Sequence, residues 1–219
     1  MSEHLTEEQQ VDAIKSWWKE NGVAVIAGLV IGFLALFGWR GWNDYQADNA
    51  AEASALYNQF HINLKENNKE SINSLHQQFL ADYPSTPYAS LASLAMAKKA
   101  VEDNDIEAAK NHLQWVLDNG KQAQIKHTAR IRMTSLHIND KEYDAALALL
   151  NVKNPGGYAG IYEELRGDTL LAKGDIAAAN SAYDKALQSD GLSPASRELI
   201  NAKLADTNQA AASQSETAK

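Results

Sequence analysis

Polar and apolar positions divide the chain into two regimes. From Asn21 to Trp39 no charged residue occurs, and Val23 to Trp39 reads VAVIAGLVIGFLALFGW, apolar or glycine throughout. After about Asp44 the apolar positions instead recur at three- and four-residue spacing, interrupted by short clusters of Asn, Asp and Gly. The first regime predicts a helix about 25 Å long, near the lower limit for crossing the hydrocarbon core of a bilayer. The second predicts a set of packed amphipathic helices.

The apolar run has aromatic borders. Trp17 and Trp18 precede it, and Trp39 and Trp42 follow it. Indoles favour the membrane–water interface, so the pairs mark two boundaries of a span. A buried core helix rarely carries indoles at both ends of such a run. A cleaved signal peptide is disfavoured because the first small-x-small site, Ala51-Glu52-Ala53, lies too far beyond the run. An uncleaved anchor over residues 22–42 is expected. Lys15 and Lys19 lie before it, whereas positions 41–60 hold no Lys or Arg. That bias orients the N-terminus to the cytoplasm and the rest of the chain outward. Ala24, Gly28 and Gly32 form a small-residue stripe on which another helix can pack, although glycine is also simply frequent in membrane helices. Residues 1–21 read as a cytoplasmic amphipathic helix with Thr6 as N-cap, Val11, Ile14 and Trp18 on one face, and Gly22 as its end.

Three later segments repeat one design: residues 94–120, 131–155 and 164–194. Each is an apolar helix, a turn (DND, NDK or KGD) and a second, Ala-rich helix. Ala109, Ala146 and Ala179 correspond, at separations of 37 and 33 residues (146 − 109 and 179 − 146), close to the period of about 34 of tetratricopeptide repeats. A small residue where two helices cross permits close approach. Ala97 and Gly167 take the facing place on the first helices, with Thr134 a departure in the middle unit. A more divergent unit precedes these, Asp48–Lys65 and Glu70–Asp82, followed by Thr86-Pro87 as N-cap and first helical position. A last helix from Pro194 to about Ala205 caps the stack. Residues 44–206 thus form one helical domain outside the membrane. Residues 207–219 lack large apolar side chains and read as a disordered tail.

Composition sharpens this picture. Ala occurs 36 times and Pro 4 times, which suits helix and not sheet. With no Cys, thiol catalysis, Cys zinc sites and iron–sulfur clusters are excluded. The formal charge of −8 argues against a nucleic-acid partner. His4, His61, His76, His112, His127 and His137 form no HExxH, and Gly156-Gly157 precedes no GK[ST]. No catalytic, cofactor or metal site is expected, and binding remains. The first helices of stacked hairpins line a concave face: Leu94, Lys98 and Val101, then Ile131, Ser135 and Ile138, then Glu164, Asp168 and Leu171. That face either holds a segment of another protein or is covered by the protein's own flanking helices.

The acidic N-terminal helix, the ENG turn, the span ending Gly38-Trp39-Arg40-Gly41-Trp42-Asn43, and LRGDTLLAKGD at Leu165 to Asp175 together resemble the YfgM family of ancillary subunits of the bacterial SecYEG translocon. The resemblance runs through about Leu204. It implies a type II inner-membrane protein with a periplasmic tetratricopeptide-like domain, an all-α solenoid behind one transmembrane helix. It also implies association with SecYEG and with a PpiD-type membrane-anchored periplasmic chaperone, and transfer of newly translocated client proteins to periplasmic chaperones. A link to a cytoplasmic stress-response regulator is implied as well. The competing expectation is an envelope scaffold that organises membrane complexes without touching clients.

Overall fold

The computed structural model describes the backbone of residues 7–217 and the side chains of residues 9–209. Thr6, the expected N-cap, lies outside the described residues. By internal contacts the chain divides into two units, Met1–Glu52 and Ala53–Lys219.

The first unit is helix. Helix α1 runs Glu7–Glu66, so the break expected at Gly22 is absent. Asn21 donates its side-chain amide to Trp17 O at 3.0 Å, one turn back, and the Trp18 indole lies over Gly22. A Cβ on Gly22 would sit 3.2 Å from the Trp18 ring. Glycine therefore lets the indole lie down on the helix and does not terminate it. The described helix is long and apolar enough to cross a membrane, and its apolar window is only 6% buried.

The second unit contains the last part of α1, from Ala53, then α2 (Lys69–Asp82), α3 (Pro87–Glu102), α4 (Ile106–Asn119), α5 (Ala123–Asn139), α6 (Tyr143–Leu149), α7 (Ala159–Lys173), α8 (Ile176–Gln188) and α9 (Pro194–Thr217). A 3₁₀ turn, Gly156–Tyr158, precedes α7. The helices pair as α3–α4, α5–α6 and α7–α8, the three hairpins predicted from the repeats.

Their turns are built alike. Asn104, Lys141 and Gly174 adopt left-handed φ values of 61°, 62° and 92°. The next residue, Asp105, Glu142 or Asp175, returns its N–H to a carbonyl five positions back at 2.8–2.9 Å. Asp105 and Asp175 then cap the following helix, each carboxylate accepting from the N–H three residues on at 3.0 Å. The α1–α2 connection has the same form. Asn67 is left-handed at 55°, Asn68 N–H reaches Asn63 O at 3.0 Å, and the Asn68 side chain caps α2. The divergent leading unit is thus a fourth hairpin.

Two helix ends differ in part from expectation. Thr86 and Pro87 hold the N-cap and first helical positions of α3 as expected, but the Thr86 hydroxyl donates backwards to Tyr83 O at 2.8 Å and makes no capping bond. Helix α9 continues to Thr217, through most of the segment read as a disordered tail. Large apolar residues are not needed there. Alanine has the highest helix propensity, and the buried Thr207 hydroxyl ties the extension to Asn180 of α8.

Among the described residues, three clusters make the core. Phe60, Ile72, Phe79, Ala89, Ala92 and Met96 join α1, α2 and α3. Leu94, Ala97, Leu113, Val116 and Met133 join α3, α4 and α5. Ala179, Tyr183, Ala186 and Ile200 join α8 and α9.

Candidate interaction surfaces

Small residues govern the hairpin crossings. Ala97, Ala109, Ala146 and Ala179 are buried, and so is Gly167. At Gly167 the approach is closest: a Cβ built there would lie 2.4 Å from the Tyr183 ring. Thr134 fits the corresponding place in α5 by donating its hydroxyl to Arg130 O at 2.9 Å, one turn back in its own helix.

Ion pairs join successive hairpins. Lys110 of α4 reaches Asp140 at 2.6 Å and Glu142 at 2.7 Å, both in the next hairpin's turn. Lys173 reaches Asp144 at 2.6 Å, and Lys69 reaches Asp103 at 3.0 Å. The hydrogen bonds that the Lys110 ammonium donates to Asp140 and Glu142 raise its pKa above the usual lysine range.

The residues expected on the concave face separate into two groups. Lys98 and Val101 of α3, and Ile131, Arg132 and Ser135 of α5, border an open cleft of about 480 Å³ floored by Ala97, Leu113 and Leu136. Val101 is exposed, and Lys98 sits at the rim paired with Glu102 at 3.5 Å. Leu94 is not on this surface. It is buried in the core, and its carbonyl accepts from Arg132 at 3.4 Å. Glu164 and Asp168 are not open either. Lys203 of α9 contacts Glu164 Oε1 and both Asp168 oxygens, each at 2.8 Å, while the Tyr183 hydroxyl donates to Asp168 Oδ1 at 2.8 Å. Burial opposes the charge on Lys203, but the bonds to Asp168 and Glu164 outweigh it and its pKa is raised. Burial, then the Asp168 bond and nearby carboxylates, push the Tyr183 hydroxyl above the tyrosine range. The face is therefore open over α3 and α5 and covered by the chain's own helix over α7. Sequence reasoning missed Lys203 and Arg132, because cross-helix pairing leaves no periodic trace.

In the first unit, Gly28 and Gly32 have no neighbouring atoms within 4 Å of a built Cβ, and Ala24 is exposed on the same stripe. Trp17, Trp18, Trp39 and Trp42 are each more than half exposed. Trp18 and Trp39 lie 21 positions apart (39 − 18), or roughly 31 Å of helix, which matches the hydrocarbon thickness.

For chemistry, the described residues contain no group of three or more His, Asp or Glu placed to hold a metal ion. The tightest charge clusters, around Lys110 and Lys203, join helices to one another.

Comparison with known proteins places these features. A profile for a tetratricopeptide repeat-like domain matches residues 15–209. A protein of Escherichia coli K12 called "Ancillary SecYEG translocon subunit" is 35% identical over 204 residues, covering 93% of this chain and 98% of that one. Proteins of the same description from Haemophilus influenzae and Neisseria gonorrhoeae are 33% and 30% identical, covering 86% and 93% of this chain and 92% and 98% of theirs. No solved structure matches. With an apolar N-terminal helix, a repeat-like profile over most of the chain and relatives matched nearly end to end, the chain belongs to the family of ancillary SecYEG translocon subunits.

Proposed function

We propose that this protein is a membrane-anchored interaction subunit of the Sec translocon that passes newly translocated polypeptides to periplasmic chaperones. The observation that carries the reading is the open apolar cleft over α3 and α5, in a chain whose relatives are named for the translocon. Its apolar surface comes from Val101 and Ile131 over a buried floor of Ala97, Leu113 and Leu136, and its rim carries both charge signs, at Lys98, Arg132 and Glu102. Such a surface takes apolar segments of many sequences and rejects few by charge. The exposed helix with indoles at both borders supports anchoring in the inner membrane. The Lys15 and Lys19 bias supports a cytoplasmic N-terminus and a periplasmic domain, residues 44–206. In this reading SecYEG and a PpiD-type chaperone are the membrane partners, and the Ala24, Gly28, Gly32 stripe is their contact.

Photo-crosslinkers at Ile131 and Ser135 test the client role. Arrested translocation intermediates should crosslink there, and Ile131→Lys should abolish the product. Purification in mild detergent tests the partner assignment. Recovery of SecYEG supports it, whereas recovery of envelope-assembly proteins alone, with no client crosslink, assigns a scaffold.

A further inference from the structure

Helix α2 closes over two imidazoles. His76 of α2 is 5% exposed, and its Nε2 lies 3.0 Å from Ser93 Oγ of α3. His112 of α4 meets it edge to face, with ring centroids 5.0 Å apart. The charged groups around the pair are Lys69 at the start of α2, Lys99 and Asp103 at the end of α3, and Asp105 at the start of α4. With His112 they line an adjoining cavity of about 180 Å³. Lys69 and Lys99 both go to Asp103, at 3.0 and 3.5 Å, and Asp105 caps α4. Both carboxylates are thus already engaged. From α1 the packed groups are Phe60, Leu64 and Tyr57, whose phenol burial pushes up.

A proton on His76 would therefore enter an apolar junction beside a second imidazole. Burial, and then His112, hold the His76 pKa down to about 4. Burial lowers His112 too, with Asp105 opposing.

We propose that α2 is an acid-released flap: protonation of the His76–His112 pair parts α2 from α3 and α4 and bares the apolar surface of Ile72, Phe79 and Met96. The connections permit this. Helix α2 hangs between the Asn67-Asn68 turn and the Tyr83–Thr86 loop, while the two cores beyond it contain no α2 residue. The sign follows from linkage. The open form regains an ordinary imidazole and binds the proton first, so the closed form is fully stable above about pH 6.5 and loses stability as pH falls toward 4. From His76 alone, the opening equilibrium rises about 10-fold by pH 5.5 and about 70-fold by pH 4.5, relative to pH 8.

Hydrogen exchange on the full chain in detergent micelles tests this, corrected for intrinsic exchange at each pH. Between about pH 8 and pH 4.5, α2 amides should lose protection roughly 70-fold while α8 amides change by less than about threefold. His76→Gln keeps a hydrogen-bonding side chain but cannot titrate, and should remove most of the loss. If His76→Gln already opens α2 at pH 8, His112→Gln decides, and its acid loss must be smaller than in the wild type. Equal loss in α2 and α8 would overturn the flap, as would no loss in α2. A wild-type response in whichever variant keeps α2 closed at pH 8 would also overturn it.

Discussion

Gly167→Ala sets two opposing effects against each other at one atom. In a helix interior, alanine is favoured over glycine by about 1 kcal/mol. Here the new Cβ would lie 2.4, 2.5 and 2.8 Å from three atoms of the Tyr183 ring, where ordinary contact begins at about 3.4 Å. Tyr183 is fully buried, so its ring must retreat by about 1 Å into packed surroundings. Overpacking of this kind costs about 1–3 kcal/mol. The retreat also draws the hydroxyl from Asp168, now 2.8 Å away, and a hydrogen bond to a charged partner contributes about 1.5–3 kcal/mol. The steric and hydrogen-bond losses exceed the propensity gain, leaving a net loss of about 2–4 kcal/mol, because the two losses overlap. For a domain of this size that lowers the melting temperature by roughly 5–15 °C. Thermal unfolding of the full chain in detergent, followed by far-ultraviolet circular dichroism, measures it. The decisive comparison is the same change in a Tyr183→Leu background. There the ring is gone, and Gly167→Ala should become stabilising by about 1 kcal/mol. A variant melting at or above the wild type, or an equal loss in both backgrounds, would refute the close-approach account.

Three further outcomes are expected. Lys203→Met leaves Glu164 and Asp168 facing each other without their cation, and should lower stability by about 1–2 kcal/mol in the same melt; an unchanged melt would show that α9 is held by its apolar contacts alone. Protease added to spheroplasts should digest the domain after Trp42, and protection until lysis would reverse the assigned orientation. Gly28→Leu with Gly32→Leu should reduce co-purification of membrane partners while the melt of the second unit stays unchanged, since a built Cβ at either position meets no atom of the chain within 4 Å; full recovery of those partners would remove the stripe as their contact.

What the sequence disclosed depends on whether a feature has local periodicity. The span stands out because nineteen uncharged positions in a row, Asn21 to Trp39, are rare in a chain that is 22% charged. The hairpins stand out because Ala109, Ala146 and Ala179 recur near one period, and each is fully buried on its helix. The first hairpin was harder to see, since its turn uses Asn67-Asn68 where later ones use Asn-Asp, Lys-Glu and Gly-Asp. These pairs share a backbone shape and not a residue type. The sequence left open whether the chain's own helices cover the concave face, and that Lys203 does so at Glu164 and Asp168 was illegible because it is 35 positions from Asp168. Gly22 misled for a related reason: a glycine that seats an indole and one that ends a helix look the same in sequence.

Helix α9 also bears on how the molecule behaves in a crowded compartment. In a stack of like hairpins, every internal unit offers its successor the same ridge, so a bare last unit would offer that ridge to another copy. Such head-to-tail contact does not close on itself and grows into filaments. Here the ridge of α8 is taken by α9 through Ile200, and Lys203 spends its charge on the acidic pair of α7. Helix α9 thus gives α8 the neighbour that a further hairpin would otherwise supply, and the covered ridge is not offered to a second copy.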